Sequence, residues 1–322
     1  MRAGNGRPHS HPLDFDWRFT RETVGRLVRM TATAERTLVV GAPSIAAELL
    51  KIGRTFESID RQPPYMPVPA CRWHSLDLRY DPVSTLNLGS FSAAILDPPW
   101  YPEDTQSWVS QIIPLVKEGG VLLVSVWPSD VRDAAGRERL DFAREAKKFG
   151  QVDIEENALR YLTPLFERSA LMAKGQNVPA QWRQGALATI VVSGSGPKAA
   201  ALRLKPDTIW ERFVFDDHQV ALRRTPELVA GEPGLQRIFE AGWILPDVSR
   251  RNPLRTDIDL WTSNNSVARI TGVRSFLDAL IAVCNGEAPK CARARRALDL
   301  MLTAKFISAR SYRRTARWHH ID

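Results

Sequence analysis

The chain has 322 residues, 44% of them hydrophobic and 25% charged, a composition that suits two globular domains or one large one. No apolar run approaches the ~20 residues of a membrane span, and polar Met1–His11 lacks the core of a signal peptide; a cytoplasmic protein without a membrane partner is expected. Three scattered cysteines (Cys71, Cys284, Cys291) exclude a disulfide framework, and histidines gathered at the termini (His9, His11, His319, His320) read as solvated tail, so no metal is expected.

Residues 1–11 are expected to be disordered. Thr20 is placed to cap a helix over Arg21–Met30, with Thr23, Val24, Leu27 and Val28 on one side. Thr37–Val40 reads as a strand, Gly41-Ala42-Pro43-Ser44 as a turn and Ile45–Ile52 as a helix. Strand, glycine turn and helix form the layout of a nucleoside-binding unit, with Gly41 and Ala42 as candidate cofactor contacts. Thr55–Asp60 is a second strand, and Asp60 lies 19 residues after Gly41. An acid about 20 residues beyond such a turn takes ribose hydroxyls. A proline-rich loop, Gln62–Pro69, follows, and Arg72–Leu78 reads as a third strand.

Phe91–Ile95 is a buried strand, and Leu96-Asp97-Pro98-Pro99-Trp100-Tyr101 stands at its end. Ionised Asp97 is acceptor-only, so it can take a hydrogen bond from an exocyclic amine. Pro98 and Pro99 stiffen the turn and leave a carbonyl pointing outward. Trp100 or Tyr101 can stack on a planar ring, worth roughly 1–3 kcal/mol. A strand followed by a proline turn and a buried tryptophan is the bland alternative.

Asp97-Pro98-Pro99-Trp100 resembles the DPPW tetrad of amino-methyltransferases acting on the exocyclic nitrogen of adenine. Its tryptophan form is most similar to the messenger-RNA adenosine methyltransferase family and its bacterial relatives. The resemblance implies an α/β fold: a Rossmann-like class I sheet, mostly parallel, with a C-terminal antiparallel hairpin. It implies S-adenosyl-L-methionine as cofactor, with Asp97, Pro98, Pro99 and Trp100 catalytic. In related enzymes the position of Asp77 reads the cofactor's adenine, though here it could equally be an exposed loop acid; Phe15, Asp16 and Trp17 could close over the cofactor or simply staple the first helix to the sheet. Gly41 precedes the tetrad here, whereas the messenger-RNA enzymes have the tetrad first, so the likeness is one of catalytic motif. A single glycine stands where the usual cofactor loop has two or three.

Beyond the tetrad, Glu103–Val116 reads as a helix with Trp108, Ile112 and Leu115 on one face. Gly119-Gly120 is taken as a stop and Val121–Val126 as the fifth strand, with Trp127 at its carboxyl end as a candidate substrate contact. A charged helix over Gly136–Phe149 and a strand over Gln151–Leu162 follow. Thr163–Gly185 is a long insertion, and long loops often carry function. Its Phe166, Glu167, Trp182 and Arg183 could meet a target or simply pack. Ala186–Ser193 is the seventh strand, which closes a methyltransferase-like domain of 12–196.

Gly194–Lys198 reads as a linker to a smaller α+β region, 199–322. Strands are expected in Thr208–Val220, Asp257–Thr262 and Ser266–Ile270, and a short helix in Leu235–Ala241. Arg250–Arg255 is a basic loop, and helices are expected over Val273–Val283 and Ala292–Ala309. Net charge is +8; Cys291–Asp322 holds eight Lys/Arg against two acids, so most of the excess lies there. Such a basic tail is a footprint of phosphate-backbone binding, or a solvated helix end. Three functions remain open: an adenine-N6 methyltransferase on DNA or RNA, a protein-lysine or small-amine methyltransferase, and a catalytically inactive nucleic-acid-binding or scaffold subunit with a protein partner.

Overall fold

The computed structural model describes residues 9–14, 17–61, 72–194, 209–215, 218–224, 231–249 and 252–308. Phe15, Asp16, the Gln62–Pro69 loop, Cys71, most of the Gly194–Lys198 linker, Arg250, Arg251 and the tail from residue 309 lie outside them. The described residues fall into two compact units, drawn respectively from 17–163 with 179–205, and from 1–16 with 164–178 and 206–322.

The first unit opens on α1 (Arg21–Met30), whose cap Thr20 accepts a hydrogen bond from the Thr23 N–H. Alternation then follows: β1 (Thr37–Val40), α2 (Pro43–Lys51), β2 (Phe56–Asp60), β3 (Trp73–Ser75), β4 (Phe91–Leu96), α3 (Pro102–Ile112), β5 (Val116–Val126) and α4 (Ala135–Ala146). The long strands β6 (Gly150–Arg160) and β7 (Gln184–Val192) complete it. The sheet order is β3-β2-β1-β4-β5-β7-β6, with β7 antiparallel to β5 and β6. This is the expected Rossmann-like α/β sheet, parallel apart from the C-terminal hairpin.

Strands covered on both faces read as unbroken apolar runs, and all four residues of β1 are buried. Leu38, Val40, Leu96 and Val124 pack with residues of α3 and α4. Val39, Ile95 and Leu123 face the other way, toward residues of α1 and α2.

Three elements in this stretch of the chain differ from the sequence reading. β5 starts at Val116 and runs through Gly119-Gly120, because the chain absorbs a register shift opposite Phe91–Ala93. Gly119 sits at φ +74°, and a Cβ on Gly120 would lie 2.8 Å from the Lys117 carbonyl. The two glycines therefore build a bulge and do not end a helix. β3 is only three residues long, since a turn begins at Asp77, whose carbonyl accepts from Tyr80 and Asp81. The insertion after Leu162 holds a helix, α5 (Leu165–Ala173), in the segment that clusters with the second unit.

In the second unit, β8 (Ile209–Phe215), β9 (His218–Arg224), β10 (Gly234–Gln236), β11 (Leu260–Thr262) and β12 (Val267–Thr271) form an antiparallel sheet. Its order is β10-β12-β11-β9-β8. Residues of α6 (Val273–Cys284) and α7 (Ala292–Thr303) share a core with Phe213, Val220, Leu222, Leu260 and Ile270. The helix expected over Leu235–Ala241 is instead β10, paired with β12; a short apolar run does not distinguish the two forms. Residues 9–11, expected in a loose terminus, are tied down. The Gln219 amide donates to the His9 carbonyl at 2.7 Å, and His11 is fully buried with its Nε2 3.0 Å from the Trp261 carbonyl. Among the described residues no helix is long and apolar enough to cross a membrane.

Candidate active site at the carboxyl edge of β4

The apolar run of β4 ends at Leu96, and its pairing with β1 continues one residue further. The Asp97 N–H donates to the Val40 carbonyl at 3.0 Å, which sets Asp97 beside the Gly41 turn. The two prolines then tighten the chain. The Pro99 carbonyl accepts from the Tyr101 N–H at 2.7 Å and from Thr105 Oγ1 at 3.4 Å. Tyr101 is the N-cap of α3, and its carbonyl accepts from Asp104 and Thr105. Among the described residues nothing donates to the Pro98 carbonyl. The turn therefore keeps one stiffly held acceptor, adjacent in the chain to Asp97.

Asp97 and Trp100 are joined through two further strands. Trp100 Nε1 donates to Ser125 Oγ on β5 at 2.9 Å. Ser125 Oγ lies 2.5 Å from the Tyr161 hydroxyl, which donates to Asp97 Oδ1 at 2.8 Å. An indole N–H can only donate and a carboxylate can only accept. The protons thus run one way, from Trp100 to Ser125 to Tyr161 to Asp97. Tyr161 follows β6 directly and is 1% exposed. Burial pushes its phenol well above the usual range, and the Asp97 charge pushes the same way, so it remains a donor.

The Trp100 ring is held as firmly as its N–H. It meets Tyr161 edge-on, with centroids 5.5 Å apart at 84°. A Cβ on Gly185 would fall 2.7 Å from Trp100 Cζ2, so only glycine lets the ring sit there. Arg183 stands alongside, its Cζ 3.6 Å from the Trp17 ring centroid, 5.2 Å from that of Trp100 and 5.7 Å from that of Trp182. Cation–π contact of this kind holds a guanidinium among indoles.

On the neighbouring strands, Gly41 follows β1 at φ +65°, its N–H bonded to the Ile59 carbonyl at 3.0 Å. Asp60 ends β2 next to that bond. The space where Gly41 lacks a side chain is filled by protein: a Cβ would lie 2.7 Å from Trp108 Cζ3 and 3.1 Å from the Asp97 carbonyl. Ala42 is 2% exposed and caps α2 through its carbonyl, which accepts from Ile45 and Ala46. Ser44 Oγ and Trp108 Nε1 are buried without a hydrogen-bond partner. Asp77 is committed to Arg79, which donates Nε to Oδ1 at 2.8 Å and Nη2 to Oδ2 at 2.5 Å. Burial would raise the Asp77 carboxyl, but Arg79, and Arg61 at 3.7 Å, bring it below the usual carboxylate range.

Two expected substrate contacts are corrected. Trp127 is fully buried; its Nε1 donates to the Ala135 carbonyl at 3.1 Å and its ring packs on Phe142, so it anchors α4. Phe166 is 1% exposed on α5, so its ring is buried and not presented to a substrate. Trp182 is 43% exposed, next to Arg183. Sequence reasoning missed Ser125 and Tyr161. The available signal was Ser125 itself, a hydroxyl inside the apolar run of β5, because a buried polar group in a strand needs a partner.

No family model matches this chain, and no curated protein matches it. Solved structures do. The branched-chain polyamine synthase of Thermus thermophilus, determined with N4-aminopropylspermidine and 5'-methylthioadenosine, aligns with a TM-score of 0.51 at 17% identity. The match covers 62% of this chain and 64% of the synthase, so the chain spans less than two thirds of that relative. The N-methyltransferase NodS of Bradyrhizobium japonicum aligns at a TM-score of 0.34 and 13% identity, over 54% of this chain and 96% of its own. At these identities the likeness to the synthase establishes the Rossmann-like fold, and the weaker match adds nothing to it.

Proposed function

We propose that the first unit transfers a methyl group from S-adenosyl-L-methionine to an exocyclic amine on a planar ring, with adenine N6 as the favoured acceptor. The observation that carries this reading is the pairing of two fixed acceptors, the Asp97 carboxylate and the undonated Pro98 carbonyl, beside a locked indole. An NH2 group has two donors and matches two acceptors. Trp100 offers its ring to the base, and Tyr101 stands next to it. Holding the amine in line is the protein's main contribution, on the order of 7–11 kcal/mol for a well-oriented pair. As the methyl carbon bonded to the amine nitrogen and its bond to sulfur broke, the nitrogen would shed a proton, and the Asp97 carboxylate is the residue placed to take it. A base within a duplex must first be flipped out.

The edge of β1 and β2 fits the cofactor. α2 opens without a side-chain cap, Ser44 Oγ is buried and unpartnered there, and Asp60 stands across the turn at the ribose position. Gly41, Ala42, Ser44 and Asp60 would hold it, and when bound it supplies an electrophilic methyl. Transfer of an aminopropyl group, suggested by the bound molecules of the polyamine synthase, is the less favoured reading. Arg183 places positive charge next to Trp100 and Tyr161, which suits a neutral or phosphate-bearing acceptor better than a polycation. The same charge disfavours a protonated lysine. Exposed Arg293, Arg295 and Arg296 on α7 support a nucleic-acid partner.

A second reading, a domain that no longer binds cofactor, is favoured by Trp108 against Gly41 and by the closed Asp77–Arg79 pair. Calorimetry with S-adenosyl-L-methionine separates the two. The transfer reading expects binding, loss of methylation in Asp97→Ala with the circular dichroism melt retained, and methylated adenine in nucleosides from expressing cells. Undiminished turnover by Asp97→Ala refutes it.

A further inference from the structure

We infer that Tyr161 is a positioning residue of this site, a group that bears on both the amine acceptor and the stacking plane. The inference rests on the amine-transfer reading and deepens it. Asp97 sits in a turn, and a donor on a different element can fix the direction of its carboxylate. Tyr161 pins it from a different strand, donating to Oδ1 at 2.8 Å. The Tyr161 hydroxyl also lies 2.5 Å from Ser125 Oγ, and Ser125 in turn accepts from the Trp100 N–H at 2.9 Å. The first and last residues of the tetrad, Asp97 and Trp100, are thereby referred to one phenol.

The phenol is itself immobile. Its backbone N–H donates to the Arg183 carbonyl at 3.1 Å, and the residue forms a β-bridge with Phe19. The Phe19 ring lies 4.7 Å away, and the Trp100 ring meets it edge-on. With no exposed surface to speak of, Tyr161 does not touch an acceptor; it acts through Asp97 and Trp100. A site arranged in this way selects ligands by their amine, since an analogue without NH2 leaves a fixed carboxylate unmatched.

The test uses the full chain and three probes: adenosine, purine riboside (the same ring without the amine) and S-adenosyl-L-methionine, each titrated by calorimetry. The wild type is expected to prefer adenosine over purine riboside roughly tenfold, the worth of a hydrogen bond to a charged group. In Tyr161→Phe that preference should fall to near unity, with cofactor affinity unchanged. A merely structural tyrosine would weaken all three probes together, and that result overturns the inference, as does a preserved tenfold preference. If Tyr161→Phe does not fold, Ser125→Ala decides: it cuts the branch to Trp100 and should weaken adenosine and purine riboside alike, while the amine preference stays. Loss of the preference in Ser125→Ala would refute the assignment to Tyr161. A wild type that ignores the amine altogether refutes the transfer reading instead, so the two failures are distinct.

Discussion

Replacing Gly41 by alanine tests how the candidate site is built. The residue sits at φ +65°, a left-handed conformation costing an L-residue roughly 1–2 kcal/mol. Its new Cβ would stand 2.7 and 2.8 Å from two atoms of the Trp108 ring and 3.1 Å from the Asp97 carbonyl. Overpacking of this kind typically costs about 1–3 kcal/mol. The lower entropy of the unfolded alanine chain returns only about 0.4–1 kcal/mol. Gly41→Ala should therefore destabilise the first unit by about 2–4 kcal/mol. The strain has two parts, and only one depends on the indole. In a cycle with Trp108→Ala, the double variant should recover the overpacking share, a coupling of about 1–3 kcal/mol. Urea denaturation followed by far-ultraviolet circular dichroism measures all four corners. A Gly41→Ala variant with unchanged stability, or costs that simply add, would refute the account of Gly41 as the bed of Trp108. If the glycine existed only to admit a cofactor, alanine would reduce cofactor affinity and leave stability alone.

Other outcomes follow from the same geometry. Gly185→Ala should push against Trp100 Cζ2 and cost about 1–3 kcal/mol, with the purine riboside affinity falling in calorimetry because the stacking plane moves. Trp127→Phe should lose about 0.5–1.5 kcal/mol of stability by removing the indole's hydrogen bond to the Ala135 carbonyl, yet bind adenosine as the wild type does. In the second unit, burial holds the His11 imidazole down to about 3, with the neighbouring Arg212 charge acting in the same direction. The unfolded chain then takes up a proton below about pH 6.5 that the folded unit refuses. Stability should fall as pH drops from about 6.5 toward 3, by up to about 1.4 kcal/mol per pH unit, and His11→Gln should flatten that slope in melts. Asp14 accepts both Nη groups of Arg212 at 2.6 Å, so Asp14→Asn strands a largely buried cation and should cost about 3–5 kcal/mol in urea titration. If α7 meets a phosphate backbone, affinity for an adenine-containing oligonucleotide should fall steeply with salt, and Arg295→Ala should lessen the slope; a salt-independent affinity would count against that partner.

The sequence by itself determined the alternation of apolar strands and capped helices in the first unit, and with it the place of Asp97. Thr37–Val40 and Phe91–Leu96 are buried on both sides, so their runs are unbroken and legible. Thr20 marks the start of α1 because its hydroxyl has one local use. Tertiary structure alone decided the rest. Gly119-Gly120 punctuates nothing, because the strand it interrupts is held by β4 and can absorb a bulge there. Trp127 and Trp182 look alike in the chain, yet one anchors a helix in the core and the other stands half in water; only packing separates them. Ser125 and Tyr161 are 36 residues apart and share no motif with the tetrad. Hydrogen bonds between strands join them to Asp97 and Trp100, and such bonds exist only once the sheet order β4-β5-β7-β6 has brought the strands together. The tetrad states which acceptors are present, and the fold states what aims them.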